Sequence, residues 1–200
     1  MDHADHVELI RAAVEPGRTW ADLGAGNGAF TLALAELLGP NGTIYAVDRD
    51  ARALEDAARR VRATASSQQP ALRTLVGDFT KPLALPPLDG IVMANSLHFV
   101  RDPLPVLRAV VNLLRPGSSF VLVEYDADRG NHWVPHPISA ERWPTVADAV
   151  GLVDTREIGR RPSRFLNAIY AAVSVRPSRL GGAGETTVRA GAPRPPATRT

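Results

Sequence analysis

The sequence has 200 residues, of which 44% are hydrophobic and 22% are charged, ordinary proportions for a globular domain. It contains no cysteine, which excludes disulfides, thiolate metal ligands, iron–sulfur clusters and cysteine nucleophiles. No apolar stretch reaches the roughly 18 residues that span a membrane, and the first residues lack the pattern of a secretory signal, so we expect a cytoplasmic protein.

The net charge of +2 is unevenly distributed along the chain. Residues 176–200 carry five arginines and one glutamate, whereas residues 1–175 carry 18 basic and 20 acidic side chains. The segment 176–200 also contains four prolines and four glycines and few apolar residues, so we predict a disordered tail. A slightly acidic folded part disfavours a nucleic-acid partner without excluding one.

Residues 1–175 alternate between strand-like and helical patterns. Helices are predicted for the N-terminal segment 1–16 and for four later segments: Phe30–Leu38, Leu54–Val61, Pro103–Leu114 and Ser139–Val150. Strands are predicted for seven segments: Thr19–Leu23, Thr43–Asp48, Leu72–Val76, Ile91–Ala94, Ser119–Glu124, Val153–Ile158 and Phe165–Val175. Strands that alternate with helices indicate crossover connections and therefore an α/β fold with a parallel sheet.

A glycine-rich turn follows the first predicted strand. Gly24, Gly26 and Ala29 satisfy the permissive dinucleotide pattern GxGxx(G/A), so a nicotinamide-dependent oxidoreductase has to be considered. Asp22, however, lies two residues before the first glycine, where a carboxylate would face a pyrophosphate. A ligand with a cationic amine or sulfonium suits that position better. Asp48 ends the second strand, where a carboxylate can accept hydrogen bonds from a ribose diol.

A third acid, Asp78, follows the third predicted strand and precedes Phe79, which offers an aromatic face for an adenine. Together with Asp22 and Asp48 it places three acids at the ends of three successive strands, the edge of such a sheet where ligands bind. The set resembles a class I S-adenosylmethionine-dependent methyltransferase. Four segments carry the resemblance: Asp22–Gly28, Asp48, Gly77–Phe79 and Leu114–Gly117.

The resemblance covers residues 1–175 and implies a Rossmann-like, doubly wound sheet, mostly parallel with an antiparallel last strand and with helices on both faces. Because the folded part contains no inserted substrate domain, we also expect the N-terminal helix, residues 1–16, to cover the site. S-adenosylmethionine is the implied cofactor. Its implied binding residues are Asp22, Gly24, Ala25, Gly26, Gly28, Asp48, Arg49, Asp78, Phe79 and Asn95. In this family the first acid positions the amino group, the second binds the ribose and the third meets the adenine amine.

The acceptor side is expected after the fourth and fifth strands. His98 is the candidate general base because the ordinary pKa of an imidazole lies near working pH; the alternative is that it shapes the pocket. The loop 129–137 makes Asn131, His132 and Trp133 candidate substrate contacts, and a packed surface loop is the alternative. We expect no metal, because His132 and His136 lie on a proline-broken loop and not on one helix face.

The predicted function is direct, in-line transfer of a methyl group to a small-molecule acceptor by a monomer or homodimer. An RNA or protein acceptor is the alternative within the class, and an oxidoreductase or a cofactor-binding module without its own chemistry are alternatives outside it. The missing cysteine excludes covalent pyrimidine methylation and radical methylation. Asn95 is followed by Ser96 and not by the two prolines typical of enzymes that methylate flipped bases.

Overall fold

The computed structural model describes residues 1–64, 69–163 and 165–178. Within these ranges seven strands form one sheet: β1 (Thr19–Leu23), β2 (Thr43–Asp48), β3 (Ala71–Val76), β4 (Leu88–Ala94), β5 (Leu114–Tyr125), β6 (Val153–Pro162) and β7 (Ala168–Val175). Most of the predicted disordered tail, residues 179–200, lies outside the described residues.

The strand order across the sheet is β3-β2-β1-β4-β5-β7-β6. β1 to β5 pair in parallel, whereas β7 runs antiparallel to both of its neighbours, β5 and β6. The order reverses at β1, so the first half of the chain builds the sheet in one direction and the second half in the other. This topology confirms the predicted doubly wound sheet with an antiparallel last strand.

The part of the chain that the structure describes contains five α-helices: α1 (His3–Ile10), α2 (Ala29–Leu38), α3 (Ala51–Ala63), α4 (Pro103–Val111) and α5 (Trp143–Asp148). α1 begins with a capping box between Asp2 and Asp5, and α3 begins after the N-cap residue Asp50, whose side chain accepts hydrogen bonds from two backbone N–H groups. None of these helices is long and apolar enough to cross a membrane.

Apolar side chains cover both faces of the sheet. On one face the buried side chains of α1 and α2 pack with those of β1 and β5, among them Leu9, Leu34, Trp20 and Val121. On the other face α4 and α5 contribute a second cluster, centred on Trp143, which stacks on Phe120 at 5.6 Å between ring centroids. Helices therefore lie on both faces, as predicted, and the central strands are buried on both sides.

The boundary between α4 and β5 differs from the prediction. α4 ends at Val111 and β5 already begins at Leu114, where the sequence pattern placed the end of a helix. Leu114 pairs with Leu88, and the pairing then shifts so that Ser119 lies opposite Gly90. The extra residues of β5 form a bulge in which Gly117 has a φ of 79°. The segment contains a proline and a glycine, which are typical both of a bulge and of a helix end, so the sequence pattern does not distinguish the two.

α1 covers less of the chain than the predicted helix. It ends at Ile10 and continues as a short 3-10 turn, Arg11–Ala13. α1 packs against α2 and the β6–β7 pair, and Asp5 accepts a hydrogen bond from Arg161 at 2.8 Å. No residue of 1–16 lines the cavity described below, so covering of the site by this helix stays a prediction.

Candidate active site

A cavity of about 410 Å³ opens at the carboxyl ends of the parallel strands β1 to β4. Its walls come from the turns that follow these four strands, the place where open α/β sheets bind ligands. Seven of the ten predicted cofactor residues line it: Gly24, Gly26, Asp48, Arg49, Asp78, Phe79 and Asn95. The sequence analysis thus assigned to one site residues that are up to 71 positions apart in the chain, and the fold places them around one cavity.

The glycine turn after β1 is tied to β2 by its backbone. The N–H groups of Gly24 and Ala25 both donate to the carbonyl of Val47, at 2.8 and 3.0 Å. The N–H of Gly26 donates to Oδ2 of Asp48 at 2.8 Å. Because these donors are already paired, the turn is held in place, and the open side of Gly26 faces the cavity.

The three glycines of the turn are required for different reasons. A Cβ on Gly24 would lie 2.4 Å from Cβ of Ser96, and one on Gly28 would lie 2.6 Å from Cα of Ala57. A Cβ on Gly26 would meet nothing within 4 Å. Close packing therefore requires Gly24 and Gly28, whereas Gly26 borders free space and has a φ of 52°, a conformation that side chains disfavour.

Three predicted cofactor residues do not line the cavity: Asp22, Ala25 and Gly28. Ala25 is buried in a small apolar cluster, and Gly28 lets the start of α2 approach α3. Asp22 is buried at the end of β1, where it accepts a hydrogen bond from the Thr31 hydroxyl at 2.6 Å. The cofactor roles of these three residues stay predictions.

The surroundings of Asp22 shift its pKa upward. Burial raises the pKa of Asp22 to about 6, the hydrogen bond from Thr31 opposes that rise, and the nearby charge of Asp48 adds to it. Two carboxylates at the ends of neighbouring strands repel one another. A cation bound at this edge would therefore be favoured by both of them.

Asp48 and Asp78 offer hydrogen-bond acceptors to the cavity. Asp48 accepts from the N–H of Gly26 and, through Oδ1, from the N–H of Asp50 at 2.9 Å. Asp78 accepts through Oδ1 from both the hydroxyl and the N–H of Thr80, which lowers the pKa of Asp78. Since an ionised carboxylate has about four acceptor positions, both residues keep capacity for a ligand.

Asn95, at the end of β4, presents an unpaired acceptor. Its backbone has a φ of 52°, and its Oδ1 is buried without a hydrogen-bond partner among the described residues. Leaving such an atom unpaired costs about 1–3 kcal/mol, a cost that a ligand N–H or O–H would remove. The cavity thus offers acceptors for a donor-rich ligand, and the amino, ribose hydroxyl and adenine amine groups of S-adenosylmethionine fit this set.

His98 lies beside the cavity and does not line it, whereas its neighbour Phe99 does. Its Nδ1 lies 2.9 and 3.0 Å from the two carboxylate oxygens of Glu124, at the end of the adjacent strand β5. Both side chains are buried, with 3% of His98 and 0% of Glu124 exposed. Oε1 of Glu124 also accepts from the N–H of Tyr125 at 2.7 Å.

The predicted substrate contacts Asn131, His132 and Trp133 lie on the surface and do not line the cavity. Oδ1 of Asn131 accepts from the N–H groups of Trp133 and Val134, at 2.8 and 2.9 Å, and so closes the turn of its own loop. Trp133 is 70% exposed and packs edge-on against His132. A role of this loop in substrate binding stays a prediction.

Comparison with known proteins agrees with this geometry. A family model described as a methyltransferase domain matches residues 21–120, half of the chain. The chain belongs to this methyltransferase family. The resemblance that the glycine turn and the three acids carried is thereby confirmed, and with it S-adenosylmethionine as the implied cofactor.

Individual relatives extend the match over most of the methyltransferase chain. It is 30% identical over 174 residues to an uncharacterised 37.1 kDa protein in transposon Tn4556 of Streptomyces fradiae, covering 86% of this chain and 48% of that protein. It is 29% identical over 115 residues to a 2-phytyl-1,4-naphthoquinone methyltransferase of Nostoc punctiforme, covering 57% of this chain and 49% of that protein. The chain therefore spans about half the length of these curated relatives.

A solved structure shares the fold. A SAM-dependent methyltransferase from Aquifex aeolicus superposes with a TM-score of 0.66 at 19% identity, covering 86% of this chain and 89% of the other. At this identity the likeness concerns the fold of the methyltransferase and not its acceptor.

Sequence reasoning missed some of the residues that shape this methyltransferase site. Thr80, which lines the cavity and donates to Asp78, was not predicted. Ser96 was expected on the acceptor side because it follows the fourth strand; it lines the same cavity and donates to the carbonyl of Leu23 at 2.8 Å. Glu124 was expected on the acceptor side because it ends the fifth strand, but its pairing with His98 was not predicted. Its position offers a signal, because β4 and β5 are parallel neighbours whose carboxyl ends meet.

Proposed function

We propose that the chain transfers the methyl group of S-adenosylmethionine to a small-molecule acceptor. The observation that carries the proposal is the cavity at the carboxyl ends of β1 to β4, where Asp48, Asp78 and the unpaired Oδ1 of Asn95 offer acceptors to one ligand. The naphthoquinone methyltransferase among the relatives supports a small acceptor. We also propose that the protein acts in the cytoplasm.

The residues of the chain have separate tasks in this proposal. When bound, S-adenosylmethionine supplies a methyl group on a positively charged sulfur. Asp48 accepts from the ribose hydroxyls, Asp78 from the adenine amine, and the buried charge of Asp22 favours the cationic amino group. Phe79 borders the glycine turn and offers its face to the adenine. His98 is the candidate base for the proton that leaves the acceptor, which is needed only where the acceptor must lose one.

The test compares two glycines with similar backbones. Gly26 and Gly151 both have positive φ, and a Cβ on either meets nothing within 4 Å, but only Gly26 lines the cavity. Gly26→Ala and Gly151→Ala should each lower the free energy of unfolding by about 1–2 kcal/mol, because both force a side chain into a left-handed conformation. Only Gly26→Ala should weaken binding of S-adenosylhomocysteine, by about 10- to 100-fold, since its methyl group enters the cavity.

Calorimetry with S-adenosylhomocysteine measures the binding of both variants, and methyl-labelled S-adenosylmethionine in a lysate split into metabolites, RNA and protein measures transfer. Label should enter the metabolite fraction with the wild type and with Gly151→Ala, and fall with Gly26→Ala. Equal affinity of both variants would contradict the assigned cofactor site. Label in the RNA or protein fraction would contradict the small-molecule acceptor.

A further inference from the structure

Four rings form a row that begins at the cavity and follows the carboxyl edge of the sheet. Phe99 lines the cavity, and its ring centroid lies 4.3 Å from that of His98. The rings of His98 and Tyr125 are 5.8 Å apart, and those of Tyr125 and Phe165 are 6.5 Å apart. We call Phe99, His98, Tyr125 and Phe165 the aromatic row.

The ends of the aromatic row are open to solvent. Phe99 is 60% exposed and Phe165 is 66% exposed, whereas Tyr125 between them is partly buried. Phe165 belongs to the connection between β6 and β7, which lies at the same edge because Tyr125 pairs with Ile169 at the start of β7. Exposed rings beside a cavity offer faces and edges to a further ring, which prefers centroid distances of about 4.5–7 Å.

The His98–Glu124 pair gives this row a proton acceptor. A carboxylate can only accept, so Nδ1 of His98 carries the ring proton and donates it to Glu124. Nε2 then has the free lone pair, and it makes no hydrogen bond to any residue within the described ranges. Among the described residues, the carboxylate of Glu124 and the ring of Tyr125 contact the imidazole of His98, and the N–H of His136 donates to the backbone carbonyl of His98 at 3.0 Å. Burial raises the pKa of Tyr125, and the charge of Glu124 raises it further, so Tyr125 does not compete as a base.

From these contacts we infer that the acceptor is a flat aromatic compound with a hydroxyl group, whose ring packs on the aromatic row and whose hydroxyl proton goes to Nε2 of His98. The inference rests on the proposed function and names its substrate class. The hydroxyl oxygen releases its proton to Nε2 and forms the bond to the methyl carbon, while the electron pair of the broken carbon–sulfur bond stays on the sulfur. Glu124 is a positioning residue, because it fixes the tautomer of His98 and balances the imidazolium charge.

The first arm of the test uses 2-naphthol and 2-decalol, a saturated alcohol with the same two-ring framework, on the full chain with S-adenosylhomocysteine present. A site that is merely apolar would favour the saturated ring. The aromatic row should favour 2-naphthol by about tenfold, since aromatic pairs are worth about 0.5–1.5 kcal/mol each. Phe165→Leu keeps the apolar bulk and should lose most of the preference. Val153→Ala, at an exposed position at the amino end of β6, should keep it.

The second arm records the absorbance of bound 2-naphthol, which distinguishes the neutral from the ionised form without any methyl transfer. In the wild type the pKa of the bound hydroxyl should fall by about 1–3 units, because a protonated imidazole beside it favours the anion. His98→Gln should abolish this fall. Glu124→Gln preserves the shape of the side chain, so 2-naphthol should still bind while the fall in the pKa of its hydroxyl becomes smaller. A variant that had lost its fold would not bind 2-naphthol at all.

The outcomes separate the inference from the proposed function. If S-adenosylhomocysteine binds but 2-decalol binds as well as 2-naphthol, or the bound hydroxyl ionises as it does in water, the inference is overturned and the proposed function stands. If S-adenosylhomocysteine does not bind, the proposed function is overturned and the inference falls with it. A preference for 2-naphthol together with an ionisation that depends on His98 supports the inference.

Discussion

Asp22 is a buried carboxyl group whose charge the folded chain disfavours. Its pKa of about 6 lies above the ordinary 3.8, so the native state holds a proton over a range in which the unfolded chain has lost it. The free energy of unfolding should therefore fall as the pH rises from 3.8 to 6 and stay lower above that. Ionised Asp22 thus destabilises the protein without ligand, a cost that a bound cation would offset.

We predict that Asp22→Asn stabilises the protein above pH 6 by about 2–3 kcal/mol, because the amide removes the buried charge and its oxygen still accepts from Thr31. Urea unfolding across this pH range measures the difference, which should vanish below the ordinary pKa of aspartic acid. Binding of S-adenosylhomocysteine near pH 6 should release a proton from the wild type and not from the variant, as shown by calorimetry in buffers of different ionisation enthalpy. A less stable variant above pH 6 would show that a cation already pairs with Asp22.

Residue types and their spacing in the sequence were enough to identify the acids of the site, but not the structural role of each glycine. Asp48 and Asp78 could be placed because strand ends are visible in the sequence and meet at one edge of a parallel sheet. Gly24, Gly26 and Gly28 are equivalent in the sequence. Gly24 and Gly26 both line the cavity, but the space for a Cβ is free only at Gly26, because two distant residues, Ser96 and Ala57, occupy the space beside Gly24 and Gly28.

The helices and strands could likewise be predicted only where their sequence pattern is local. The alternation of strand-like runs with helical patterns was sufficient to predict the seven strands in their order along the chain. Central strands are easy to recognise because they are buried on both faces and therefore appear as apolar runs. The start of β5 was missed, since a bulge at Gly117 and a helix end use the same residues. The position at which α1 packs could not be predicted from the sequence either, because contacts between an N-terminal helix and strands near the end of the chain leave no local sequence pattern.

The packing of α1 depends on a glycine in β6. A Cβ on Gly159 would lie 3.2 Å from Cα of Leu9, closer than most such contacts, and Leu9 is fully buried. We predict that Gly159→Ala lowers the free energy of unfolding by about 1–3 kcal/mol, because α1 has to move away from the sheet. Urea unfolding measures this cost.

The same variant tests whether α1 covers the site. No residue of α1 lines the cavity, so displacing the helix should leave the affinity for S-adenosylhomocysteine unchanged within about twofold if its only task is packing. A loss well beyond that would show that α1 closes over the bound cofactor, as the sequence analysis predicts. Calorimetry on both proteins at a temperature where both are folded gives the comparison.

At the scale of the whole molecule, the ordered contacts continue past the last strand. Arg176 follows β7, and its guanidinium donates to the carbonyls of Val111, Asn112 and Leu114 where α4 gives way to β5. Its backbone also pairs with Gly117 and Ser118, at 2.7 and 2.9 Å. The sequence analysis placed Arg176 in the tail, because composition alone does not distinguish an arginine that holds carbonyls from one in solvent.

These contacts predict different costs for two deletions. If residues 179–200 are disordered, as their composition predicts, removing them should leave the free energy of unfolding and the binding of S-adenosylhomocysteine unchanged. Removing residues 176–200 should cost about 2–4 kcal/mol, because the carbonyls at the end of α4 lose a charged donor and the bulge of β5 loses two backbone partners.

Arg176→Ala in the full chain separates the two contributions, since it removes the guanidinium and keeps the backbone pairs with Gly117 and Ser118. Its cost should be about half that of the longer deletion. Urea unfolding of the three proteins beside the wild type measures all of these differences. Equal stability of both truncated chains would mean that α4 and β5 hold their junction without Arg176, and that the domain ends with β7.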